Sequence, residues 1–279
     1  MQIQARAKIN WALEITGQRQ DGYHLLDGVM QPLALCDELE ILPSDALSLS
    51  IGGAALSEGE DNLVLKAARA LQRHTGTNQG AAIRLTKRIP MGAGLGGGSA
   101  DAAAALKGLN QLWQTNLSVE TLLSIGVTLG ADVPFCLMDT PMRARGIGEI
   151  LTPVHCLRTW PLLLIQPCEG LSTKEIFTAY HEKNPTGGSV ENVMKALETG
   201  DLSLMEKSAV NMLEAVSIPK RAAIGRAKQV LYEQGAAFAR MTGSGSVVFG
   251  AFDTMARAEA AHRLLSTEYK TCILTETVK

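Results

Sequence analysis

The sequence has no excess of charge of either sign. Its 26 Lys and Arg are balanced by 28 Asp and Glu, which gives a formal net charge of −2. Proteins that bind nucleic acid or an anionic membrane surface usually carry a basic excess. The longest apolar runs are far shorter than the ~20 residues of a membrane-spanning helix, and the segment MQIQARAKIN lacks the apolar core of a signal peptide. We therefore expect no nucleic-acid partner, no membrane and a cytoplasmic location.

Patterned cysteines are also missing. The five cysteines are widely scattered, none forms a CxxC pair, and no His stands at zinc-ligand spacing; they are Cys36, Cys136, Cys156, Cys168 and Cys272. This excludes a disulfide framework and a structural zinc site. We expect reduced cysteines and no metal ion held by protein side chains. Internal repeats and low-complexity tracts are absent as well.

The sequence does have the length and apolar content of two ordinary globular domains. Hydrophobic residues make up 46% of its 279 residues, and chains of this length commonly divide in two. The pattern of elements changes near residues 145–160. We predict an N-terminal domain over residues 1–152 and a C-terminal domain over residues 153–279. Strands and helices do not alternate regularly, which predicts an α+β fold rather than a doubly wound sheet.

The N-terminal domain is predicted to begin with a strand. Apolar and polar residues alternate over residues 3–15, so Lys8 and Asn10 lie side by side on the polar face. Further strands are predicted over residues 29–42, 47–51 and 81–89, and helices over residues 61–76, 99–112 and 118–129.

The C-terminal domain is predicted to have the order β-α-β-β-α-β. A buried strand at residues 159–167 precedes helical segments over about 172–234, which break near Pro185–Gly188, Gly200 and Pro219. Strands at 236–241 and 246–252, a helix at 254–266 and a strand at 270–276 follow. This is the ferredoxin-like, or split βαβ, order with extra helices in the first crossover.

The segment PMGAGLGGGSA, residues 90–100, places five glycines in seven positions immediately before an alanine-rich helix. Glycine permits positive φ and close backbone approach, and the first N–H groups of the helix point toward whatever fills the loop. Ser99 could add a hydroxyl at the helix cap. A tight helix–sheet crossing is the alternative, but so many glycines at a helix start favour a phosphate-binding loop.

Two common nucleotide-binding motifs do not fit this loop. Gly92, Gly94 and Gly97 match GxGxxG, but the next element is another helix and not the second parallel strand that a dinucleotide-binding fold requires. No Lys-Ser or Lys-Thr follows the last glycine, which excludes a Walker A loop.

Two acidic residues near the loop have different interpretations. Asp101 is expected in the first turn of a helix, where it would stabilise the helix dipole and have no catalytic role. Asp132, in LGADVPF, follows a helix C-terminus, where the dipole disfavours a carboxylate. It could cap a short helix opened by Pro134. Its short distance in sequence from the glycine loop instead favours a functional role, with Lys8 as the natural cation to pair with it.

A second glycine-rich turn, TGSGS at residues 242–246, could be a simple hairpin turn. Together with AKIN at residues 7–10 and PMGAGLGGGSADAA at residues 90–103, it resembles the three signature motifs of the GHMP kinase superfamily. AKINWALEITGQRQDGYH, EDNLVLKAARAL, LGADVPF and GIGEILTP resemble the members that act in the non-mevalonate route to isoprenoid precursors. The resemblance covers residues 5–153 and returns at 240–249.

The resemblance implies a two-domain GHMP-kinase-like fold with ATP and substrate between the domains. The ATP phosphates would be wrapped by Pro90, Met91, Gly92, Ala93, Gly94, Leu95, Gly96, Gly97, Gly98, Ser99 and Ala100. Mg²⁺ would be held mainly by those phosphates. Asp132 would accept the proton of the attacking 2-hydroxyl, and Lys8 would lower the pKa of that hydroxyl and steady the developing charge.

The implied substrate is a small alcohol that carries a cytidine diphosphate group. Asn10, Tyr23 and His24 match positions that hold this substrate, the last two at its cytosine. Phe177, in KEIF, is expected to supply the other half of a cytosine sandwich. The oligomeric state stays open.

One segment departs from the pattern of the superfamily. After LGADVPF the superfamily usually has a small glycine-rich turn, whereas this chain has Asp139-Thr140-Pro141-Met142.

Two alternative functions are open. A homoserine or mevalonate kinase is the alternative within the superfamily, and GYH, which suits a pyrimidine, argues against it. A non-catalytic nucleotide-binding sensor of the same fold is the other alternative. The presence of both Lys8 and Asp132 argues against a sensor.

Overall fold

The structure, a computed structural model, describes residues 1–180 and 188–279. The strands are β1 (Gln2–Gln18), β2 (His24–Ser44), β3 (Leu47–Gly52), β4 (Gly80–Thr86), β5 (Met142–Gly146), β6 (Ile150–Pro153), β7 (Pro161–Gln166), β8 (Phe238–Met241), β9 (Val248–Ala251) and β10 (Thr271–Glu276). The helices are α1 (Leu63–Thr75), α2 (Gly97–Leu112), α3 (Val119–Leu129), α4 (Val133–Met138), α5 (Thr173–Ala179), α6 (Val190–Thr199), α7 (Leu202–Ser208), α8 (Glu214–Lys220), α9 (Ala222–Glu233) and α10 (Met255–Leu265). This order confirms the predicted α+β fold.

Two compact units are built from separate stretches of the chain. The first unit comprises Met1–Ala7, Leu35–Ile89 and Gly96–Asp139, and the second comprises Lys8–Ala34, Pro90–Leu95 and Thr140–Lys279. The predicted division into residues 1–152 and 153–279 stays a prediction, because these units follow contacts in space and not a single boundary along the chain.

In the first unit, β4 lies between two strands. It pairs in parallel with β3 and antiparallel with Glu38–Ser44 of β2. Helix α1 begins where the Asn62 side chain accepts a hydrogen bond from the Val64 N–H and ends at Gly76, which has a left-handed backbone. Apolar residues of this sheet and of α1, α2, α3 and α4 form one hydrophobic core.

The predicted strand over residues 81–89 ends earlier, at Thr86. The N–H groups of Arg88 and Ile89 donate to Oδ1 of Asp37, at 2.5 and 2.8 Å. Because a side-chain carboxylate takes these donors, residues 88–89 leave the strand just before the glycine loop.

In the second unit, a four-stranded antiparallel sheet has the order β10-β7-β9-β8. With α5–α9 in the first crossover, this confirms the predicted ferredoxin-like arrangement. Leu26–Met30 of β2 pairs with β5, and β5 pairs with β6, two strands that the sequence pattern did not predict. The break predicted near Pro185–Gly188 lies mostly outside the described residues, and Pro219 lies in the last turn of α8.

The sequence predicts reduced cysteines and no membrane-spanning helix. Within residues 1–180 and 188–279, the five cysteines form no disulfide bond. Within residues 1–180 and 188–279, no helix combines the length and the apolar character needed to cross a bilayer.

Candidate functional site

Strand β1 carries a buried polar pair. Lys8 and Asn10 are only 4% and 5% exposed, and Nζ of Lys8 donates to Oδ1 of Asn10 at 2.8 Å. The backbone N–H of Asn10 donates to Oγ1 of Thr242 at 3.1 Å, and the Gly243 N–H donates to Oδ1 of Asn10 at 3.1 Å. The AKIN strand and the TGSGS turn, 232 residues apart in sequence, therefore form one hydrogen-bonded group.

Residues 93–95 of the glycine loop join the same group through their carbonyl oxygens. Val247 N–H donates to Ala93 O at 3.2 Å, Thr242 Oγ1 to Gly94 O at 3.3 Å, and Lys8 N–H to Leu95 O at 2.9 Å. Gly94 has a φ of +76°, and a Cβ built on it would lie 2.2 Å from the carbonyl oxygen of Thr242. This glycine is therefore required by close packing against the TGSGS turn.

The C-terminal part of the loop begins helix α2 in the first unit. The N-cap position is Gly96, with a φ of 71°, and no side chain caps the helix. The helix starts at Gly97, two residues before the predicted start, so Ser99 lies within the first turn and the predicted hydroxyl cap is wrong. An α-helix leaves its first N–H groups without intrahelical partners. An uncapped helix start of this kind fits the phosphate groups of ATP.

Asp101 makes an ion pair instead of stabilising the helix dipole. It lies beyond the first turn of α2, is 4% exposed, and its Oδ2 is 2.7 Å from Nζ of Lys87, which also binds Asp37. Burial raises the pKa of Asp101 to about 7, because desolvation of the carboxylate outweighs attraction to Lys87. The dipole interpretation of this residue is wrong.

Asp132 occupies the N-cap position of α4, the short helix opened by Pro134, but its side chain makes no capping hydrogen bond. Capping, the alternative left open by the sequence, therefore does not explain this acid. At the other end of α4, Asp139 has a φ of 53°, a left-handed conformation that glycine commonly adopts. Its carboxylate lies 3.5 Å from Nε of Arg6. Asp139 thus supplies the turn for which the superfamily usually has glycine.

The residues expected at the cytosine are only partly brought together. The rings of His24 and Phe177 lie 5.4 Å apart at 39°, and the ring of Tyr180 meets His24 edge-on at 5.9 Å. Burial lowers the pKa of His24 from 6.5, which favours the neutral imidazole. Tyr23 is 61% exposed, and its backbone N–H donates to Oδ1 of Asp21. Tyr180 was not predicted, although it follows Phe177 at helical i, i+3 spacing.

Asn211 is a second residue that the sequence pattern did not single out. Its Nδ2 donates to the carbonyl oxygens of Met241 and Gly243, at 2.7 and 2.8 Å. Its neighbours Val210 and Met212 exchange backbone hydrogen bonds with Leu13 of β1. Asn211 therefore fixes the TGSGS turn from a segment that is itself attached to β1.

Side chains that could hold a metal ion are not clustered in the described residues: no group of three or more His, Cys, Asp or Glu residues is placed to bind one.

Comparison with known families matches both halves of the chain. The family model described as "GHMP kinases N terminal domain" matches residues 62–140, and the family model described as "GHMP kinases C terminal" matches residues 193–271.

Individual relatives match over almost the whole chain. The 4-diphosphocytidyl-2-C-methyl-D-erythritol kinase of Alkaliphilus metalliredigens is 38% identical over 97% of this chain and 94% of its own length. The kinase of the same name from Pelotomaculum thermopropionicum is 43% identical over 88% of this chain and 87% of its own length. That from Clostridium beijerinckii is 36% identical over the full length of both chains.

Solved structures show the same fold. A 4-(cytidine 5'-diphospho)-2C-methyl-D-erythritol kinase superposes with a TM-score of 0.86 at 31% identity, with all of both chains covered. A homoserine kinase from Cytophaga hutchinsonii superposes with a TM-score of 0.80 at 19% identity, over all of this chain and 94% of the other, which shows the shared fold alone. From the matched domains and the full-length relatives, the chain belongs to the GHMP kinase family and is an ATP-dependent kinase.

Proposed function

We propose that the chain transfers the γ-phosphoryl group of ATP to the 2-hydroxyl of 4-diphosphocytidyl-2-C-methyl-D-erythritol. The products are the 2-phosphate and ADP, in non-mevalonate isoprenoid precursor biosynthesis. The observation that carries the choice of substrate is that full-length relatives at 36–43% identity bear this enzyme name. The contact between His24 and Phe177 gives the proposal a physical basis in this chain.

The phosphates of ATP are proposed to bind at Pro90–Ala100. Support comes from the uncapped start of α2 and from the carbonyl-anchored residues 93–95 that precede it. The helix dipole adds a favourable field for anions at this end. Mg²⁺ is proposed to arrive with ATP and to be held mainly by its phosphates, as is common for Mg²⁺ in kinases.

Asp132 is the proposed base that accepts the proton of the 2-hydroxyl. Support comes from its place in the segment LGADVPF, which resembles that of the GHMP kinases, and from the lack of a capping hydrogen bond to α4. Lys8 is the proposed cation that lowers the pKa of the hydroxyl and stabilises the developing negative charge. A buried ammonium that a neighbouring amide orients interacts with a nearby charge more strongly than an exposed one, because water screens it less.

Cytosine recognition is proposed for His24, Tyr23 and Phe177, with Asn10 also holding the substrate. A neutral imidazole can donate from one ring nitrogen and accept at the other, so it can pair with the polar edge of a pyrimidine. Phe177 fixes the imidazole ring by contact, and the exposed Tyr23 ring is available for stacking.

The substrate proposal is tested with purified protein, MgATP and three alcohols assayed separately: 4-diphosphocytidyl-2-C-methyl-D-erythritol, homoserine and mevalonate. We expect ADP release with the first alone, and a ³¹P and ¹H NMR spectrum of the product that places the new phosphate at the 2-position. Turnover of homoserine or mevalonate in its place would contradict the proposal, and ATP binding without turnover of any alcohol would indicate a sensor.

The proposed base is tested by Asp132→Asn, with Asp139→Asn as the matched control at the opposite end of α4. General-base catalysis typically contributes about 10²–10⁴-fold, so Asp132→Asn should lose that much of kcat while it keeps ATP affinity. Asp139→Asn makes the same chemical change and should keep kcat, since asparagine also tolerates the left-handed backbone. Equal kcat in the two variants would refute the role of Asp132.

A further inference from the structure

A buried charge cluster of the first unit has no part in the proposed mechanism; it consists of Lys87, Asp37 and Asp101. The side chain of Lys87 is only 4% exposed and is bound by both carboxylates, that of Asp101 at 2.7 Å. With all three groups ionised, the cluster would carry one net negative charge in the protein interior. Buried charge of this kind is costly unless it is paired or neutralised.

This cluster connects the two ends of the proposed phosphate loop. Before the loop, Asp37 accepts hydrogen bonds from the Arg88 and Ile89 N–H groups. After the loop, Asp101 lies one turn along α2 from Gly97. A Cβ built on Gly97 would lie 3.3 Å from Nζ of Lys87, so the ammonium packs directly against the start of the helix. Any change in the charge of the cluster acts on the place where phosphate is proposed to bind.

The Asp101 carboxylate is only half satisfied. Its Oδ2 receives Lys87, whereas Oδ1 is buried and has no hydrogen-bond partner among residues 1–180 and 188–279. The charged groups that act on it are Lys87, from the end of β4, and Asp37, from β2. The buried residues that α1, α3 and α4 contribute to the surrounding core are apolar. An unpaired oxygen in such surroundings favours the protonated acid, and burial raises the pKa of Asp101 to about 7.

We propose that Asp101 is a proton-linked positioning residue for ATP, which takes up a proton when phosphate groups occupy the start of α2. With Asp101 ionised, the cluster already carries one net negative charge. The incoming phosphates bring more negative charge close to it, and this disfavours the ionised form of Asp101 further. Protonation leaves Lys87 and Asp37 as a neutral pair beneath the helix. The inference rests on the proposed role of Pro90–Ala100 in binding ATP.

The test is isothermal titration calorimetry of the full chain with a non-hydrolysable ATP analogue and Mg²⁺. Buffers of different ionisation enthalpy report the number of protons taken up, at pH values from 6 to 9. The wild type should take up a fraction of a proton near pH 7–8, and its affinity should fall with rising pH, by at most about tenfold per pH unit for one linked proton. Asp101→Asn, which cannot ionise, should lose this uptake and flatten the profile.

The matched control is Asp139→Asn, because Asp139 is a half-buried residue of the first unit whose carboxyl pKa is also raised by burial. It should keep the wild-type profile, and protonation of the analogue itself contributes equally to all three proteins. The same proton uptake in Asp101→Asn as in the wild type would overturn the inference. Wild-type protein that binds no analogue would instead overturn the loop assignment, and this inference with it.

A second measurement needs no variant and covers a failure of Asp101→Asn to fold. Infrared difference spectra of the wild type at pH 8, with and without the analogue, should show a new protonated carboxylic acid band upon binding. Binding without that band would overturn the proposal. A purely structural ion pair would move neither the proton count nor the spectrum.

Discussion

Replacing Gly94 by alanine is expected to destabilise the protein by about 2–5 kcal/mol, more than the backbone conformation alone explains. The φ of +76° costs a non-glycine residue about 1–2 kcal/mol. The new Cβ would also lie 2.2 Å from the carbonyl oxygen of Thr242 and 3.3 Å from the amide nitrogen of Gly245. Both are backbone atoms, so the TGSGS turn itself must move, and forced overpacking typically costs about 1–3 kcal/mol.

Gly92→Ala is the matched control, because it makes the same change two residues earlier in the loop. Gly92 has a φ of +61°, but its Cβ would lie 3.5 Å from Cα of Gly170, which is ordinary contact. We expect this variant to lose only the ~1–2 kcal/mol of the backbone conformation. Urea unfolding followed by tryptophan fluorescence gives the free energy of unfolding of both variants, and the difference between them isolates the clash with Thr242.

Equal destabilisation by the two substitutions would refute this reasoning, since the 2.2 Å approach would then carry no cost. Melting curves give a second readout. In chains of about this size, 1 kcal/mol of stability shifts the Tm by about 2–4 °C, so the Tm values of the two variants should differ by several degrees. ATP affinity is measured alongside, because both positions lie in the proposed phosphate loop.

Asn211, Tyr23 and Asp101 can each be tested by one substitution. Asn211→Ala should lower the free energy of unfolding by about 1–3 kcal/mol for each carbonyl left unpaired at Met241 and Gly243, and unchanged urea unfolding would contradict this. Tyr23→Ala should raise KM for the cytidylyl substrate about 5- to 150-fold, the equivalent of ~1–3 kcal/mol of stacking. Because Tyr23 is exposed, the variant should keep the KM for ATP and the Tm of the wild type. A lower Tm with an unchanged KM for the cytidylyl substrate would indicate a packing role instead. The pKa of Asp101 is raised from 3.8 to about 7 on folding, so its stabilising contribution is complete below pH 4 and is lost as the pH rises through 7. This difference of roughly 3 pKa units corresponds to on the order of 4 kcal/mol, and Tm measured from pH 4.5 to 8 should fall more steeply in the wild type than in Asp101→Asn.

Features with a local physical cause could be predicted from the sequence. The alternation over residues 3–15 marks β1 because side chains of a strand point to opposite faces. The end of α1 at Gly76 follows from the left-handed conformation that glycine adopts without strain. In the C-terminal half, glycine and proline separate the strands of the ferredoxin-like sheet clearly enough to give their order.

Features that depend on distant partners could not be predicted. The strands β5 and β6 are only five and four residues long. The alternation of β5 covers just Met142–Arg145, too few residues to mark a strand, and β6 has none; their pairing with β2 and with each other defines them. The alternation of β1 placed Lys8 and Asn10 on one face but could not show that this face is buried. Asp101 shows the same limit. A carboxylate near a helix start is expected to interact with the helix dipole, and the sequence does not show that Lys87, 14 residues earlier, binds it instead.

The glycines of the loop show why the combination of motifs is more informative than any one of them. Gly94 and Gly243 face each other: a Cβ on Gly94 would meet the Thr242 carbonyl, and a Cβ on Gly243 would lie 3.0 Å from the Gly94 oxygen and 3.4 Å from Nζ of Lys8. Each motif therefore limits the side chains that the other two can carry. A glycine-rich loop alone is compatible with many ligands and many folds, but a loop whose glycines are fitted to a specific turn and a specific lysine is compatible with few. Backbone packing thus holds together residues that lie far apart in the chain.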